Sequence, residues 1–225
     1  MRTKNDSFEI SDTKAKLLDA GVKLMRTNGY NATTVDDICA EAGVTKGGFF
    51  HYFKSKEEIA KAAVERFGYG KGQELHDAPF RQLTDPLDRV YGRLDFIKES
   101  VGGLSRATRG CLIGLFAQEL AFTHPELRSA CNDMFVRITT DFTKDLTAAK
   151  ALYAPEASFE PARLAWLFLS VFQGSSLLAK SAGSNEVLME NIEQFRSYLQ
   201  SLFGKDHVSK AAVSANSTGF EMAFD

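Results

Sequence analysis

Residues 45–56 read Thr-Lys-Gly-Gly-Phe-Phe-His-Tyr-Phe-Lys-Ser-Lys, a run with three lysines, one histidine and no acid. Four of the five residues from 49 to 53 are aromatic. Side chains of these types hydrogen-bond phosphate oxygens, and an apolar ring can meet a thymine methyl in the major groove. A helix that enters a DNA groove needs a slim first turn, donors at its flanks and an inward face that anchors it. Gly47 and Gly48 are slim, and Thr45, Lys46, Tyr52 and Lys56 are donors. Phe49 and Phe53 lie four apart and make the inward face, which leaves Phe50 and His51 outward. Taken alone, the aromatic run reads better as a buried core strand or helix, so its setting has to decide.

A second candidate is Cys111, between Gly110 and Leu112 and near Arg106 and Arg109, cations that lower a thiol pKa. It reads either as a redox or electrophile sensor or as a small buried hydrophobe. Cys39 falls on the inner face of its helix and reads as core. His124 and Cys131, two helical turns apart, share only residue type with a metal site, so no metal and no cofactor is expected. A phosphate-cradling loop is missing too, because Gly68, Gly70 and Gly72 have neither the preceding strand nor the spacing. No nucleophile–base set or carboxylate pair appears. An all-helical small-molecule enzyme is therefore the weaker alternative, and a ligand-free architectural DNA binder is another.

Composition narrows the class. The chain has 225 residues, 44% hydrophobic and 25% charged, with a net charge of −2. A generally basic nucleic-acid coat protein is excluded, but a local basic patch is not. Three scattered cysteines make no disulfide framework, and Met1 to Asp12 lacks an apolar leader. The longest apolar stretch, near Ala165 to Phe172, looks short for a membrane span. The expectation is a cytoplasmic protein.

The elements that must position these residues read as helices almost throughout, an all-α chain. Leu17, Leu18, Gly21, Leu24 and Met25 form one stripe, closed by Asn28-Gly29. Thr34 with Asp37 makes a capping box for a short helix that Gly43 ends, and Thr45 caps the next one. Ser55 and Glu58 open a fourth, with Gly68, Gly70 and Gly72 as its end or a soft joint, and 76–85 reads as a linker. Longer helices follow from Pro86, near Arg109 to Ala121, from Pro125 to about Ala149, from Pro161, and from Asn185 to Phe203. A capped helix, a glycine turn, a threonine cap and flanking lysines are the layout of a helix-turn-helix with a short recognition helix.

At this point Lys14 to Phe67 resembles the DNA-binding domain of the TetR/AcrR family of bacterial transcriptional regulators. The matching residues are Ala20-Gly21, Gly29-Tyr30, Thr33-Thr34-Val35, Ile38-Cys39-Ala40, Ala42-Gly43-Val44, and Lys46-Gly47 through Tyr52-Phe53-Lys54-Ser55-Lys56. Gly110-Cys111-Leu112, Ala117-Gln118-Glu119-Leu120 and His124-Pro125 are similar to a pattern in one branch. The resemblance implies an all-α, roughly nine-helix, Ω-shaped homodimer with an N-terminal three-helix helix-turn-helix domain and a C-terminal ligand-binding and dimerisation domain. The implied divisions are 1–56 for DNA binding, 57–75 for a connecting helix, 76–204 for ligand and dimer, and 205–225 for a flexible tail. It implies a repressor that binds a palindromic double-stranded operator and is released by a small molecule. Thr33, Thr34, Thr45, Lys46, Gly47, Gly48, Phe50, His51, Tyr52 and Lys56 are the DNA-binding positions. Phe50 stands where the family most often has Tyr, so that hydroxyl is lost, and Gly48 stands where many members have a small polar residue. An apolar or aromatic effector would meet Tyr91, Leu94, Cys111, Phe116, Phe135, Phe168 and Phe172. The dimer surface would use Leu164, Phe168, Val171, Ser175, Ile192, Phe195 and Leu199.

Overall fold

Each short N-terminal helix starts where a side chain caps it. Ser11 accepts from the Lys14 amide, Thr34 from Asp37, Thr45 from Gly48 and Ser55 from Glu58. The helices so defined are α1 (Asp12–Asn28), α2 (Val35–Ala42), α3 (Lys46–Tyr52) and α4 (Lys56–Asp77). A 3₁₀ turn at Pro79–Gln82 leads to α5 (Pro86–Gly102), α6 (Leu112–Leu120), α7 (Pro125–Tyr153), α8 (Pro161–Ala182) and α9 (Glu186–Phe203). Proline at the first position of α5, α7 and α8 leaves no amide unsatisfied there. This computed structural model describes residues 11–103 and 110–204, and among them there is no strand. The expected tail at 205–225, and Arg106 and Arg109, lie outside the described residues.

Two apolar cores hold these helices, and they divide in space rather than along the chain. The first joins Leu17, Ile38, Phe49, Phe53 and Ile59 to Leu112, Phe116, Leu127 and Met134. The second gathers Leu87, Tyr91, Leu94, Phe142, Leu146, Leu164, Phe168, Ile192 and Leu199. The 29-residue α7, about 44 Å long, contributes to both. The N-terminal helices are thus packed against α6 and the first half of α7.

Three details differ from the sequence expectation. The glycines at 68, 70 and 72 lie inside α4, which runs unbroken to Asp77. Gly68 is there for close approach, since a Cβ would fall 2.1 Å from Met134 Cε on α7. The expected linker contains the 3₁₀ turn, held by a cluster of charges. Arg81, Arg89 and Arg93 surround Asp141 and Asp145 of α7, with Arg89 Nε 2.9 Å from Asp145 and Arg93 Nη2 2.8 Å from Asp141. Arg81 also donates to the Leu75 carbonyl near the end of α4. Burial alone would raise the Asp141 carboxyl, but the hydrogen bonds and charges of Arg93 and Arg81 together carry it below its ordinary range. Finally, the 22-residue α8 is long and apolar enough to cross a bilayer by length and composition. It has two apolar sides, one in the second core and one carrying the exposed Leu167, Leu177 and Leu178.

Candidate nucleic-acid interface

Phe49 and Phe53 are buried and lie 5.8 Å apart, ring to ring, fixing α3 on the first core. That phase turns the other side of α3 to solvent. Thr45, Lys46, Gly47, Phe50 and His51 are exposed, and Phe50, whose ring meets Phe49 edge-on at 5.3 Å, still keeps half of its surface in water. Lys54 is exposed just beyond the helix. It is absent from the sequence-derived set, although the count of lysines over 45–56 already included it. Thr45 Oγ1 accepts from the Gly48 amide, which leaves its hydroxyl proton for an outside acceptor. Lys46 Nζ sits 2.9 Å from Asp36, a pair exposed on both sides and worth little. The Asp36 hydrogen bond and charge hold the ammonium above its usual range.

The two glycines do different jobs. A Cβ on Gly48 would fall 2.8 Å from Val44 Cγ1, so this glycine serves the tight α2–α3 turn rather than the groove. Gly47 has only Thr45 Oγ1 near it, at 3.9 Å, and presents bare backbone outward. His51 packs edge-on against the half-buried Tyr52, at 4.7 Å.

Three expected phosphate donors are engaged inside the protein. Thr33 is fully buried, and its hydroxyl donates to the Gly29 carbonyl at 2.7 Å. It is a turn-former, not a DNA contact. Thr34 donates its hydroxyl proton to Asp37 at 2.6 Å and accepts the Asp37 amide at 3.1 Å, a complete capping box that lowers the Asp37 pKa. Lys56 donates to the carbonyls of Tyr30 and Thr33, each at 3.0 Å, and lies over the Tyr30 ring at 4.2 Å. Lys56 therefore pins the start of α4 to the α1–α2 turn.

That turn is also gripped from α6. Glu119 accepts the amides of Tyr30 and Asn31 at 2.9 and 2.7 Å. Tyr30 itself is buried against Phe116 and His124, and burial, with Glu57 and Glu119 behind it, pushes its phenol pKa up. Sequence reasoning saw Glu119 only as part of a pattern. Its role depends on a contact 89 residues away in the chain.

The expected effector residues do not converge. Tyr91, Leu94, Phe168 and Phe172 belong to the second core, whereas Cys111, Phe116 and Phe135 belong to the first. Tyr91, Leu94 and Phe116 are fully buried core residues. Of the seven, Cys111 lines a cavity, one shared with Arg26 and Lys180. The expected dimer set needs a similar correction. Leu164, Phe168, Ile192, Phe195 and Leu199 are buried in the chain's own second core. The outer side of α8 and α9 instead forms an open groove of about 420 Å³ that includes Leu167, Val171, Gly174, Leu178 and Tyr198. Val171, Ser175 and Phe195 do line it. On an all-apolar helix the periodic signal marks the inner face first, and the second face escapes it.

With this geometry in place, comparison with known proteins gives consistent matches at both ends of the chain. Residues 17–63 match the model of bacterial regulatory proteins of the tetR family, and residues 86–194 that of the LmrA/YxaF-like transcriptional regulator C-terminal domain. The transcriptional regulator AcuR of Cereibacter sphaeroides is 30% identical over 73% of this chain and 74% of its own. A solved regulatory protein TetR from Rhodobacter sphaeroides superposes with a TM-score of 0.75 at 25% identity, covering 83% of this chain and 98% of that one. The reduced form of the Escherichia coli repressor NemR gives 0.71 at 25% identity, over 83% and 96%. The exposed recognition helix, the all-helical body and these relatives agree, and the chain belongs to the TetR family of bacterial transcriptional regulators.

Proposed function

We propose that the protein works in the cytoplasm as a homodimeric repressor that binds a palindromic operator and is released by a small-molecule effector, without catalysing a reaction. The observation that carries the DNA contact is the outward face of α3. Thr45, Lys46, Gly47, Phe50 and His51 share it, with Lys54 beside it and no acid on the helix. Thr45, Lys46, His51 and Lys54 meet phosphate, and the bare Gly47 backbone and the Phe50 ring approach base edges. Residues 1–56 read the DNA, 57–75 form the connector, and 76–204 bind effector and partner. A single seven-residue helix touches few base pairs, so two copies related by a twofold axis supply the specificity. The groove beside Leu167, Gly174, Leu178 and Tyr198 is the pairing surface in this reading.

The test is selection from a random duplex pool with the purified chain. The expected outcome is an inverted repeat with half-sites about one helical turn apart, lost with Phe50→Ala. Selection of no motif, or of the same motif by Phe50→Ala, would overturn the proposal.

A second reading has one observation in its favour. The half-buried Cys111 lies on the cavity shared with Arg26 and Lys180, where an oxidant or electrophile can reach it. Cys131, by contrast, is buried and its thiol is pushed up to about 11. Hydrogen peroxide should then release the wild type from its operator and spare Cys111→Ser. Equal release of both sinks this reading.

A further inference from the structure

The turn between α1 and α2 offers two consecutive backbone amides, those of Tyr30 and Asn31, and both donate to one carboxylate. It belongs to Glu119, half-buried in the last turn of α6, with Oε2 2.9 Å from the Tyr30 nitrogen and Oε1 2.7 Å from the Asn31 nitrogen. Gly29 makes this approach possible. Its φ of +90° turns the chain out of α1, and a Cβ there would stand 3.3 Å from Glu119 Oε2. An ionised carboxylate on two amides is a charge-assisted pair, stronger and more directional than the apolar contacts around it.

Both ends of this contact are stiff. On the DNA-binding side, the Thr33 hydroxyl donates to the Gly29 carbonyl at 2.7 Å, and Lys56 donates to the carbonyls of Tyr30 and Thr33. The turn enters α2 through the Thr34–Asp37 capping box. From α2 the left-handed Gly43 and the bond from the Val44 amide to the Cys39 carbonyl, 2.9 Å, lead directly to α3. A displacement of the turn is therefore a displacement of the recognition helix. On the other side, the amides of Thr123 and His124 both donate to the Leu120 carbonyl, at 3.1 and 2.9 Å, so α6 joins α7 without slack. The far half of α7 reaches the second core, where Phe142 meets Phe168 of α8 at 5.5 Å. The proposed pairing groove lies on the outer side of that same α8.

We propose that Glu119 is a positioning residue for operator recognition: by locking the α1–α2 turn to α6 it fixes the separation of the two recognition helices, and with it the half-site spacing that the dimer accepts. This role rests on the dimeric, operator-binding reading above. One base pair moves the far half-site by about 3.4 Å and turns it by about a tenth of a helical turn. Shared between two protomers, that is about 1.7 Å for each recognition helix. Hydrogen bonds of 2.7 and 2.9 Å do not survive a shift of that size. The packing of Tyr30 on Phe116 and His124, with ring centroids 6.0 and 5.2 Å apart, lacks that directionality and can slide. The carboxylate is thus the contact that separates one spacing from its neighbours.

The experiment uses the full chain and the half-site found by duplex selection, presented singly and as inverted repeats whose spacers differ by one and two base pairs. The wild type should favour one spacing over its neighbours. Glu119→Gln, which keeps the shape but turns an amide nitrogen toward a donor, should lower that preference about fivefold or more, and Glu119→Ala likewise. Both should keep the wild-type affinity for the single half-site and select the same half-site sequence. Lys61→Met, which removes the exposed Lys61–Glu126 pair between α4 and α7, should keep the wild-type spacing preference. Equal weakening at the single half-site and at every spacing would make Glu119 merely structural and overturn the proposal. An unchanged preference in Glu119→Gln, no preference in the wild type, or equal flattening by Lys61→Met would overturn it too. Failure to select any half-site sinks the operator reading itself, whereas a selected half-site with unaltered spacing preference sinks only the role of Glu119.

Discussion

Lys46 and Lys56 are both lysines beside the recognition helix, and the structure gives them opposite work. Lys46 is exposed and pairs with the solvated Asp36. Lys56 has its ammonium on two backbone carbonyls at 3.0 Å and on the Tyr30 ring. Each phosphate contact contributes about 0.9 to the slope of log affinity against log salt. A dimer loses two contacts when Lys46 becomes Ala, so the slope should flatten by about 1.8. Between 50 and 200 mM salt that is about a twelvefold difference in how steeply wild type and variant weaken. Lys56→Met keeps the apolar stem and removes the two carbonyl bonds. Charged hydrogen bonds contribute about 1.5–3 kcal/mol each, and the half-exposed site lowers the sum to about 2 kcal/mol. The assay is fluorescence anisotropy with the selected operator across a salt series, paired with urea unfolding. Lys56→Met should unfold at lower urea while its salt slope matches the wild type. A slope flattened as much as that of Lys46→Ala would refute the assignment of Lys56 to the protein interior.

Further expectations follow from the same geometry. Gly48→Ala should destabilise the chain by about 1–3 kcal/mol through the clash with Val44, whereas Gly47→Ala should leave the urea midpoint unchanged and weaken operator binding. Asp145→Ala strips a carboxylate from Arg81, Arg89 and Arg93 and should cost about 3–5 kcal/mol in urea unfolding, because Arg93 is almost fully buried. The Asp141 carboxyl is depressed in the folded state, so its stabilisation is present above its ordinary 3.8 and is lost as pH falls through the depressed value. The stability gap between wild type and Asp141→Asn should therefore hold from neutral pH to about 5 and close below 3.8. Leu178→Glu, on the outer side of α8, should shift sedimentation from dimer to monomer, raising the dimer dissociation constant more than about a hundredfold while helicity stays constant.

Much of the fold was legible from local chemistry. Thr34, Thr45 and Ser55 are read as caps, and each caps a helix. The outward placement of Phe50 and His51 follows from Phe49 and Phe53 standing one helical turn apart. The ligand and dimer residues were less legible. Periodicity finds the apolar face of a helix but cannot say whether its own chain or a second copy covers it, and so Leu164, Ile192 and Leu199 were assigned outward although they are core.

The sequence by itself determined an all-helical chain with a capped helix-turn-helix whose third helix offers lysine, histidine and an aromatic ring to DNA. Those features rest on interactions within one or two helical turns, where residue type and spacing suffice. Only the tertiary structure decided that Lys56 and Thr33 turn inward, that Glu119 reaches Tyr30, and that Arg26 and Lys180 share a cavity. Each of the last two pairings joins residues far apart in the chain, and a charged side chain looks the same in sequence whether it faces water, phosphate or a buried carbonyl. Its neighbours in space decide which, and packing alone brings them together.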